Sequence, residues 1–157
     1  MKRLVLIRHG KATWKTGMYE DFKRPLNSRG KIDVEIMSQK VLNKEKPPEA
    51  LFVSKATRTS ETGLIIKFLL RIDDSVLQFE NSLYTFEWFE LLTFLRKIDN
   101  SLNTVWIVGH NPALTELTNY LSWEKKLLNL QTSGVAVLEL DISNWSEAHK
   151  DCGDIVK

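Results

Sequence analysis

The chain has 157 residues, of which 43% are hydrophobic and 27% are charged, and its formal net charge at pH 7 is +2. This length and composition are ordinary for a folded protein and predict a single domain over residues 1–157. The 22 basic and 20 acidic residues are too evenly balanced to favour nucleic acid or an anionic membrane as a partner. Any anion site must therefore come from a local cluster of cations.

Cysteine content and hydropathy exclude further classes of protein. Cys152 is the single cysteine, so neither an intramolecular disulfide nor a cysteine-rich zinc site can form. The apolar run near the start of the chain stops at Arg8, which is too short for the hydrophobic region of a signal peptide. No stretch approaches the ~18 apolar residues of a membrane span. We therefore expect a cytoplasmic protein.

Five short apolar runs predict buried strands, and they alternate with segments of helical spacing. The strands are expected at residues 4–7, 50–53, 76–79, 104–108 and 135–140. Apolar residues recur at helical intervals in four segments between or after them. Such a pattern predicts an α/β three-layer sandwich, in which a mostly parallel central sheet is covered by helices on both faces.

The remaining segments are harder to assign. We expect the strand at 135–140 to join the sheet at an edge, and a short final strand at "DIVK", residues 154–157. Residues 11–27 mix turn-forming residues with scattered aromatic residues and predict a long loop. Loops of this length in compact domains are often functional, and we expect Trp14 in this loop to touch a substrate.

Polar residues able to bind an anion follow several strands at one edge of the predicted sheet. Arg8, His9 and Gly10 come directly after the first strand. Arg58 falls in the first turn of the helix that follows the second strand, and His110 comes directly after the fourth. In open α/β sheets, ligands bind beyond the carboxyl ends of the strands. These residues therefore predict a common site.

Two predicted helix starts lie at the same edge. Asn111 and Pro112 suit an N-cap and a first helical position, so we expect a helix immediately after His110. Ser54 or Thr57 is expected to cap the helix after the second strand. The positive end of a helix favours an anion, and arginine offers bidentate hydrogen bonds to phosphate. The sequence therefore predicts a phosphoryl-binding site.

These residues resemble the histidine phosphatase superfamily. "LIRHG" at 6–10 resembles the family signature, and "SKATRTSET" at 54–62 and "VGHNP" at 108–112 follow at matching spacing. The short chain and "RPLNSRG" at 24–30 are similar to the SixA-like phosphohistidine phosphatase branch. The resemblance covers nearly the whole chain and implies a phosphoglycerate mutase-like fold.

The resemblance also implies a role for each matching residue. His9 resembles the nucleophile that becomes phosphorylated. Arg8 and Arg58 resemble the two pocket arginines, and His110 resembles the second pocket histidine. Arg24 matches a further phosphate-contacting arginine of the SixA-like branch.

Physical chemistry agrees with these roles. A neutral imidazole nitrogen can attack phosphorus to give a phosphohistidine that water then hydrolyses. For this, the other ring nitrogen of His9 should be held by a backbone carbonyl near Gly10. We expect His110 to be protonated, and Gly10 and Asn111 to contribute to substrate binding, with Gly10 small enough to let phosphate approach the backbone. Because guanidinium groups neutralise the phosphoryl charge, no metal and no other cofactor is expected.

The general acid is the point at which the chain departs from the family pattern. Relatives often carry an acid just before an "LY" pair, and here Ser82 occupies that position. Glu80, two residues earlier, is the candidate acid, and Glu87 lies beyond the pair. A chain without a general acid would favour substrates with good leaving groups, of which a phosphoramidate such as phosphohistidine is one.

We therefore predict a metal-independent phosphatase whose substrate is a phosphorylated molecule, with a phosphohistidine-bearing protein as the leading expectation. A small-molecule phosphomonoester phosphatase of the same superfamily is one alternative. A non-catalytic module that binds a phosphorylated ligand is another. A mutase is disfavoured, because so short a chain has few residues with which to enclose a sugar phosphate. Neither the physiological substrate nor the oligomeric state follows from the sequence.

Overall fold

A computed structural model of the protein describes residues 1–14, 17–124 and 126–157. Within these ranges the chain forms six strands and four α-helices. In chain order they are β1 (Lys2–Arg8), α1 (Ser28–Lys40), β2 (Ala50–Ser54), α2 (Thr57–Leu70), β3 (Leu77–Glu80), α3 (Trp88–Arg96), β4 (Thr104–Gly109), α4 (Ala113–Leu121), β5 (Val135–Leu140) and β6 (Gly153–Ile155). None of the helices in the described part of the chain has the length and apolar character needed to cross a membrane.

The six strands form one sheet in the order β3-β2-β4-β1-β5-β6. The first four strands of the chain run parallel to one another, whereas β5 runs antiparallel to β1 and to β6. The prediction of a mostly parallel sheet is therefore confirmed. The expected edge position of β5 was wrong, because β6, the short final strand at 153–155, covers its outer side.

Helices cover both faces of the sheet, which confirms the three-layer architecture. In β1, Leu4 and Leu6 pack into a core with α3 and α4, whereas Val5 and Ile7 pack into a core with α1 and α2. All four side chains have 0% exposure. An uninterrupted apolar strand is thus buried on both of its faces, as expected for a central strand of an α/β sheet.

The predicted loop at 11–27 is tied down at its base. Ala12 and Leu26 form an isolated antiparallel bridge, and Asp21–Lys23 makes a short 3-10 turn. Asn27 then caps α1 by accepting a hydrogen bond from the backbone N–H of Gly30 at 2.7 Å. Lys15 and Thr16 in this loop lie outside the described residues.

Candidate active site

A cleft of about 440 Å³ opens at the carboxyl ends of β1, β2 and β4. Its walls combine several cations with aromatic side chains and one carboxylate. The described residues that line it are Arg8, His9, Lys11, Ala12, Trp14, Asp21, Arg24, Asn27, Arg58, Phe86, His110, Asn111 and Thr132. The structure therefore brings together six of the eight residues singled out for the site, and it places Gly10 and Glu80 elsewhere.

His9 follows β1 directly and is 8% exposed. Its Nδ1 lies 2.7 Å from the carbonyl oxygen of Gly10. Because a carbonyl oxygen only accepts hydrogen bonds, Nδ1 carries the proton and Nε2 keeps its lone pair. Burial, and to a smaller extent the charge of Arg58, lower the pKa of His9 to about 4. At neutral pH the ring is uncharged, and Nε2 is the nitrogen able to act as a nucleophile.

Arg58 is the second residue of α2, and only 2% of its surface is exposed. Its Nε donates to Nε2 of His9 at 3.3 Å. Its Nη1 donates to the backbone oxygen of Asp21 at 2.7 Å, and its Nη2 donates to Oδ2 of the same residue at 3.1 Å. The guanidinium group is therefore fixed on the nucleophilic side of the histidine ring.

Asp21 joins three side chains at the mouth of the cleft. Its carboxylate accepts hydrogen bonds from Arg58, from Nε of Arg24 at 3.1 Å and from the hydroxyl of Tyr84 at 2.5 Å. Partial burial raises the pKa of this carboxyl, but the bond from Tyr84 and the charge of Arg58 outweigh it and lower the pKa to about 2. Asp21 is thus an anion that positions two arginines.

Sequence reasoning missed Asp21 and Tyr84. The available signal for Asp21 was its spacing of three residues from Arg24, which one turn of a 3-10 helix converts into a salt bridge at 3.1 Å. Tyr84 carried a weaker signal, namely its place in the segment that follows β3. Nothing in the sequence indicated that this segment folds over the cleft.

Arg24 also packs against the predicted substrate-contacting tryptophan. Its guanidinium carbon lies 3.7 Å from the ring centroid of Trp14, and its Nη1 donates to the backbone oxygen of Thr13 at 3.1 Å. Trp14 is 78% exposed, so Arg24 stacks on an otherwise open ring. The pair forms part of the rim of the cleft.

Arg8, the last residue of β1, presents a donor without a partner. Its Nη1 donates to the backbone oxygen of Leu130 at 3.0 Å. Its Nε is buried and makes no hydrogen bond to any described residue. Burial, followed by the charge of Arg58, lowers the pKa of the Arg8 guanidinium below its ordinary value. A buried N–H donor of this kind is suited to an incoming oxyanion.

His110 follows β4 and is 1% exposed. Its Nε2 lies 2.8 Å from Oγ of Ser54, whereas its Nδ1 is buried without a partner among the described residues. Its ring centroid is 5.4 Å from that of His9, and the rings of Tyr84 and Phe86 meet it edge-on at 5.3 and 5.6 Å. Aromatic side chains therefore shield the second histidine from water.

Before a phosphoryl group is bound, the surroundings of His110 oppose the protonation that the sequence predicts for it. Burial, and then the charge of Arg58, lower its pKa to about 3. Asp21 acts in the opposite direction but does not compensate. Desolvation of the ring and the neighbouring cation thus favour a neutral His110 before a phosphoryl group is bound.

The first residues and N-caps of α2 and α4 differ slightly from the prediction. Neither Ser54 nor Thr57 caps α2, whose N-cap position is Ala56. The helix after His110 begins at Ala113, one residue later than expected, and follows a cis peptide bond between Asn111 and Pro112.

Asn111 lies in the wall of the cleft, but its side chain is committed to the protein. Its Oδ1 accepts hydrogen bonds from the backbone N–H and the hydroxyl of Thr115 at 3.1 and 3.0 Å. Its Nδ2 donates to Oδ1 of Asn129 and to the backbone oxygen of Leu130. The structure therefore indicates that Asn111 shapes the wall, rather than the predicted direct contact with substrate.

Gly10 has a different role from the predicted approach of phosphate to the backbone. It does not line the cleft. A Cβ at this position would lie 2.8 Å from the backbone oxygen of Gly30 and 2.8 Å from Cγ2 of Val34 in α1. The small residue is needed because α1 packs directly on the strand exit. Its carbonyl oxygen contributes by holding His9, and its N–H donates to Oγ1 of Thr62 at 3.2 Å.

Glu80, the candidate general acid, does not reach the cleft. It ends β3 at the edge of the sheet, where it lines a separate surface hollow with Phe52 and Phe94. The chain then turns through a 3-10 segment at 81–83, so that Tyr84, rather than a carboxylate, faces His110. Neither Glu80 nor the later Glu87 lines the cleft.

The described residues around the cleft provide cationic side chains for a ligand. Over residues 1–14, 17–124 and 126–157, no group of three or more His, Cys, Asp or Glu side chains is placed to hold a metal ion. The side chains that converge on Nε2 of His9 are guanidinium groups. This α/β sandwich therefore presents a neutral histidine nitrogen and arginines at the strand ends, an arrangement typical of the class of proteins that bind phosphoryl groups.

Comparisons with known proteins agree with this class. Residues 4–78 match the family described as the histidine phosphatase superfamily, branch 1. An uncharacterized chloroplastic protein of Arabidopsis thaliana is 26% identical over 157 residues, which cover 94% of this chain and 70% of the relative.

Solved structures of SixA proteins have the same fold. The candidate phosphohistidine phosphatase SixA of Agrobacterium tumefaciens is 26% identical, with a TM-score of 0.80 over 88% of this chain and 92% of that one. The protein histidine phosphatase SixA in complex with tungstate is 20% identical, with a TM-score of 0.81 over 99% and 94% of the two chains. The chain is therefore similar to the histidine phosphatase superfamily over residues 4–78, just under half of its length, and this similarity, together with the cleft, supports phosphatase activity.

Proposed function

We propose that the protein is a metal-independent phosphatase that acts through a covalent phosphohistidine on His9. The observation that carries this proposal is the state of the His9 ring. Its Nδ1 is held by the carbonyl oxygen of Gly10, so the lone pair of Nε2 is available within a cleft lined by three arginines. A neutral imidazole fixed in one tautomer is ready to attack without first losing a proton.

The proposed reaction has two displacements at phosphorus. In the first, Nε2 of His9 forms a bond to phosphorus, and the bond to the leaving group breaks with its electron pair. In the second, water attacks phosphorus, inorganic phosphate departs, and the electron pair of the P–N bond returns to Nε2. One difficult step is thereby divided into two easier ones.

The arginines supply the electrostatic part of catalysis. Arg58 already contacts the attacking nitrogen, and the buried Nε of Arg8 has no partner among the described residues. Arg24 adds a third guanidinium group to the lining of the cleft. Together they neutralise the equatorial oxygens of the phosphoryl group, where charge is concentrated in the transition state.

Protonation of the leaving group favours one class of substrate. Among the described residues that line the cleft, Asp21 is the one carboxyl group, and its pKa of about 2 keeps it ionised at neutral pH. An ionised carboxylate held by arginines cannot donate a proton. Substrates whose leaving group departs readily are therefore favoured, and a protein phosphohistidine, whose imidazole is protonated by solvent, meets this requirement.

A small phosphomonoester is the second candidate substrate. The cleft volume of about 440 Å³ lies within the range of small-ligand sites. The exposed ring of Trp14 at the rim offers an apolar surface to either kind of leaving group. The two substrate classes therefore have to be separated by experiment.

Trapping the phosphoenzyme tests the mechanism. The protein is incubated in EDTA with phosphoramidate or an aryl phosphate and quenched in alkaline denaturant, because phosphohistidine is labile in acid. We expect mass spectrometry to place a phosphoryl group on His9, and His9→Asn to abolish both the adduct and turnover. His149→Asn, at an exposed position, is the matched control. Equal turnover by His9→Asn would refute the nucleophile, and binding of phosphate with no turnover would favour the non-catalytic module.

A competition panel tests the substrate class. A phosphohistidine protein, a phosphotyrosine peptide and a sugar phosphate are supplied together, and their individual rates are compared. The proposal requires the phosphohistidine protein to have the highest kcat/KM. A higher kcat/KM for the sugar phosphate would replace it with the phosphomonoesterase alternative.

A further inference from the structure

Ser54 ends β2 and has 0% exposure. Its Oγ lies 2.8 Å from Nε2 of His110, and this contact connects the ends of β2 and β4 beneath the cleft. The sequence suggested a helix cap at this position, but the only N–H that reaches Oγ in the described structure is that of Ala56, at a long 3.4 Å. The principal hydrogen-bond partner of the Ser54 hydroxyl is therefore His110.

The protons of this pair can be arranged in two ways. In the first, Ser54 donates its hydroxyl proton to Nε2 of His110, so that the ring proton is on Nδ1. In the second, Nε2–H donates to Oγ, and Nδ1 carries a lone pair. The positions of the heavy atoms are the same in both arrangements. The location of the ring proton of His110 therefore follows from the number of buried donors and acceptors that each arrangement satisfies.

The first arrangement leaves fewer buried groups unsatisfied. Among the described residues, Nε2 of His110 is the one acceptor within hydrogen-bond distance of the Ser54 hydroxyl, so the second arrangement would leave that O–H without an acceptor. It would also leave Nδ1 as a buried, unpaired lone pair. The first arrangement uses the hydroxyl proton and leaves one group unpaired, the N–H of Nδ1.

We propose that Ser54 is a positioning residue that donates its hydroxyl proton to Nε2 of His110 and so keeps this histidine in the tautomer that bears its proton on Nδ1. His110 then offers a neutral N–H donor to a phosphoryl oxygen in the cleft that it lines. Only the identity of that oxygen rests on the proposed function. The tautomer itself is a property of the protein alone.

This assignment explains how His110 can serve the site without being charged. In the opposite tautomer, a neutral His110 would direct a lone pair toward a phosphoryl oxygen, and the two acceptors would repel each other. Burial and the charge of Arg58 lower the pKa of the ring before a phosphoryl group is bound, so a tautomer fixed by Ser54 supplies a donor that does not depend on protonation. A neighbouring hydroxyl that fixes the tautomer supplies the donor without the cost of burying a charge.

Nitrogen NMR of the histidine rings tests the assignment directly. Protein labelled with ¹⁵N-histidine contains three such rings, and spectra of His9→Asn and His149→Asn identify the signals of His110. We expect Nδ1 of His110 to have the shift of a protonated ring nitrogen, and Nε2 to have that of a hydrogen-bonded acceptor. The opposite pattern, or averaging of the two nitrogens, would overturn the proposal.

Variants at position 54 test the consequence for catalysis. We expect Ser54→Ala to average the two nitrogens of His110 and to lower kcat/KM roughly 10- to 100-fold, as for other residues that orient a functional histidine. Ser54→Thr keeps the hydroxyl and should restore both properties. Thr59→Val removes a neighbouring buried hydroxyl that contacts the backbone oxygen of Ser54 at 2.8 Å, and it controls for packing.

The outcomes separate this inference from the proposed function. If Ser54→Ala shows an unchanged His110 spectrum, or a kcat/KM equal to that of the parent, the positioning role is refuted. If Thr59→Val lowers kcat/KM as much as Ser54→Ala does, the loss is one of packing and the proposal fails. If the parent protein shows the expected tautomer but has no phosphatase activity, the assignment of Ser54 stands and the proposed function fails.

Discussion

Nε of Arg58 donates to Nε2 of His9 at 3.3 Å, so the atom proposed to attack phosphorus is in contact with a cation before any phosphoryl group is bound. Burial is the main reason that the ring is neutral, and the charge of Arg58 acts in the same direction. Its length indicates a weak hydrogen bond, which can yield to a phosphoryl oxygen without a large cost. The other donors of Arg58 remain on Asp21 and keep the guanidinium group in place.

Arg58→Lys tests this contact. Lysine keeps the charge but cannot reach His9 and Asp21 with three fixed donors, so we expect kcat/KM to fall by roughly 10²- to 10³-fold. Arg71→Lys, at the exposed end of the same helix, is the matched control and should leave kcat/KM unchanged. A loss below threefold in Arg58→Lys, with an unchanged melting temperature, would contradict the role of Arg58.

The protonation of His9 leads to a second prediction. Burial lowers its pKa to about 4, so the neutral and nucleophilic form is present above that pH. We expect an NMR titration to show His9 uncharged from neutral pH down to about pH 5. A histidine in a short unstructured peptide serves as the control. Protonation of His9 near the ordinary histidine value of 6.5 would show that the ring is less desolvated than the structure indicates.

The same burial makes folding stability depend on pH. In the folded protein the pKa values of His9 and His110 are lowered to about 4 and about 3, whereas an unfolded histidine has a value near 6.5. Between these limits the unfolded chain binds more protons than the folded one, so the free energy of unfolding falls as the pH is lowered below 6.5 toward 4. The stabilisation is fully present above 6.5.

Urea unfolding near pH 7 and near pH 5 measures this dependence. We expect the parent to lose a few kcal/mol between the two conditions, on the order of the linkage for buried histidines. His110→Asn should reduce the loss, because one of the two protonation sites is removed. The depressed pKa of Asp21, about 2, places its own titration below this range. A loss of equal size in His110→Asn would assign the pH dependence to other groups.

Asp21→Asn tests the anion that holds the arginines. The amide keeps the shape but removes the charge shared by Arg58, Arg24 and Tyr84, so we expect KM to rise by roughly tenfold with a smaller change in kcat. Tyr84→Phe should have a weaker effect in the same direction, and the double variant should be less than additive, because the two side chains act through one carboxylate.

Asp74→Asn is the matched control for that experiment. Asp74 forms an exposed ion pair with Lys67, and its side chain is 92% exposed. Surface pairs of this kind contribute about 0–1 kcal/mol to stability, so neither KM nor the melting temperature should change measurably. A KM for Asp21→Asn equal to that of the parent would mean that the arginines hold their positions without the carboxylate.

Glu80→Gln tests whether Glu80 acts as the general acid. Because Glu80 lies beside a surface hollow at the sheet edge, we expect its kcat/KM to stay within about twofold of the parent at every pH, as for surface substitutions away from a site. A general acid, by contrast, typically contributes 10²- to 10⁴-fold. Loss of activity on this scale would mean that the segment after β3 moves toward the cleft during catalysis.

The sequence predicted the fold well because the signal was local. Unbroken apolar runs such as Leu4–Ile7 can only be buried on both faces, and they alternate with amphipathic helices. The position of β5 in the sheet could not be predicted from its own sequence. Its partner β6 is a three-residue strand near the end of the chain, whose pairing depends on how residues 141–152 return along the sheet.

The site was predictable where a residue directly follows a strand. His9 and His110 directly follow β1 and β4. These two strands are parallel neighbours, and Arg8 at the end of β1 pairs with Gly109 at the end of β4. Asp21 and Tyr84 come from loops, and their meeting depends on tertiary contacts rather than on any periodic pattern. The desolvation of His110 could not be predicted from the sequence, because it is set by side chains that come from distant parts of the chain.

The position of β1 in the sheet has a consequence for the way the site opens. It lies between β4 and β5, so the backbone that carries His9 has hydrogen-bonded neighbours on both sides. Amide hydrogens there should exchange with solvent only when the whole domain unfolds. Asp21–Lys23 forms a 3-10 turn outside the sheet, and its amide hydrogens should exchange at a lower free energy. The proposed nucleophile thus belongs to the part of the protein that is expected to unfold last.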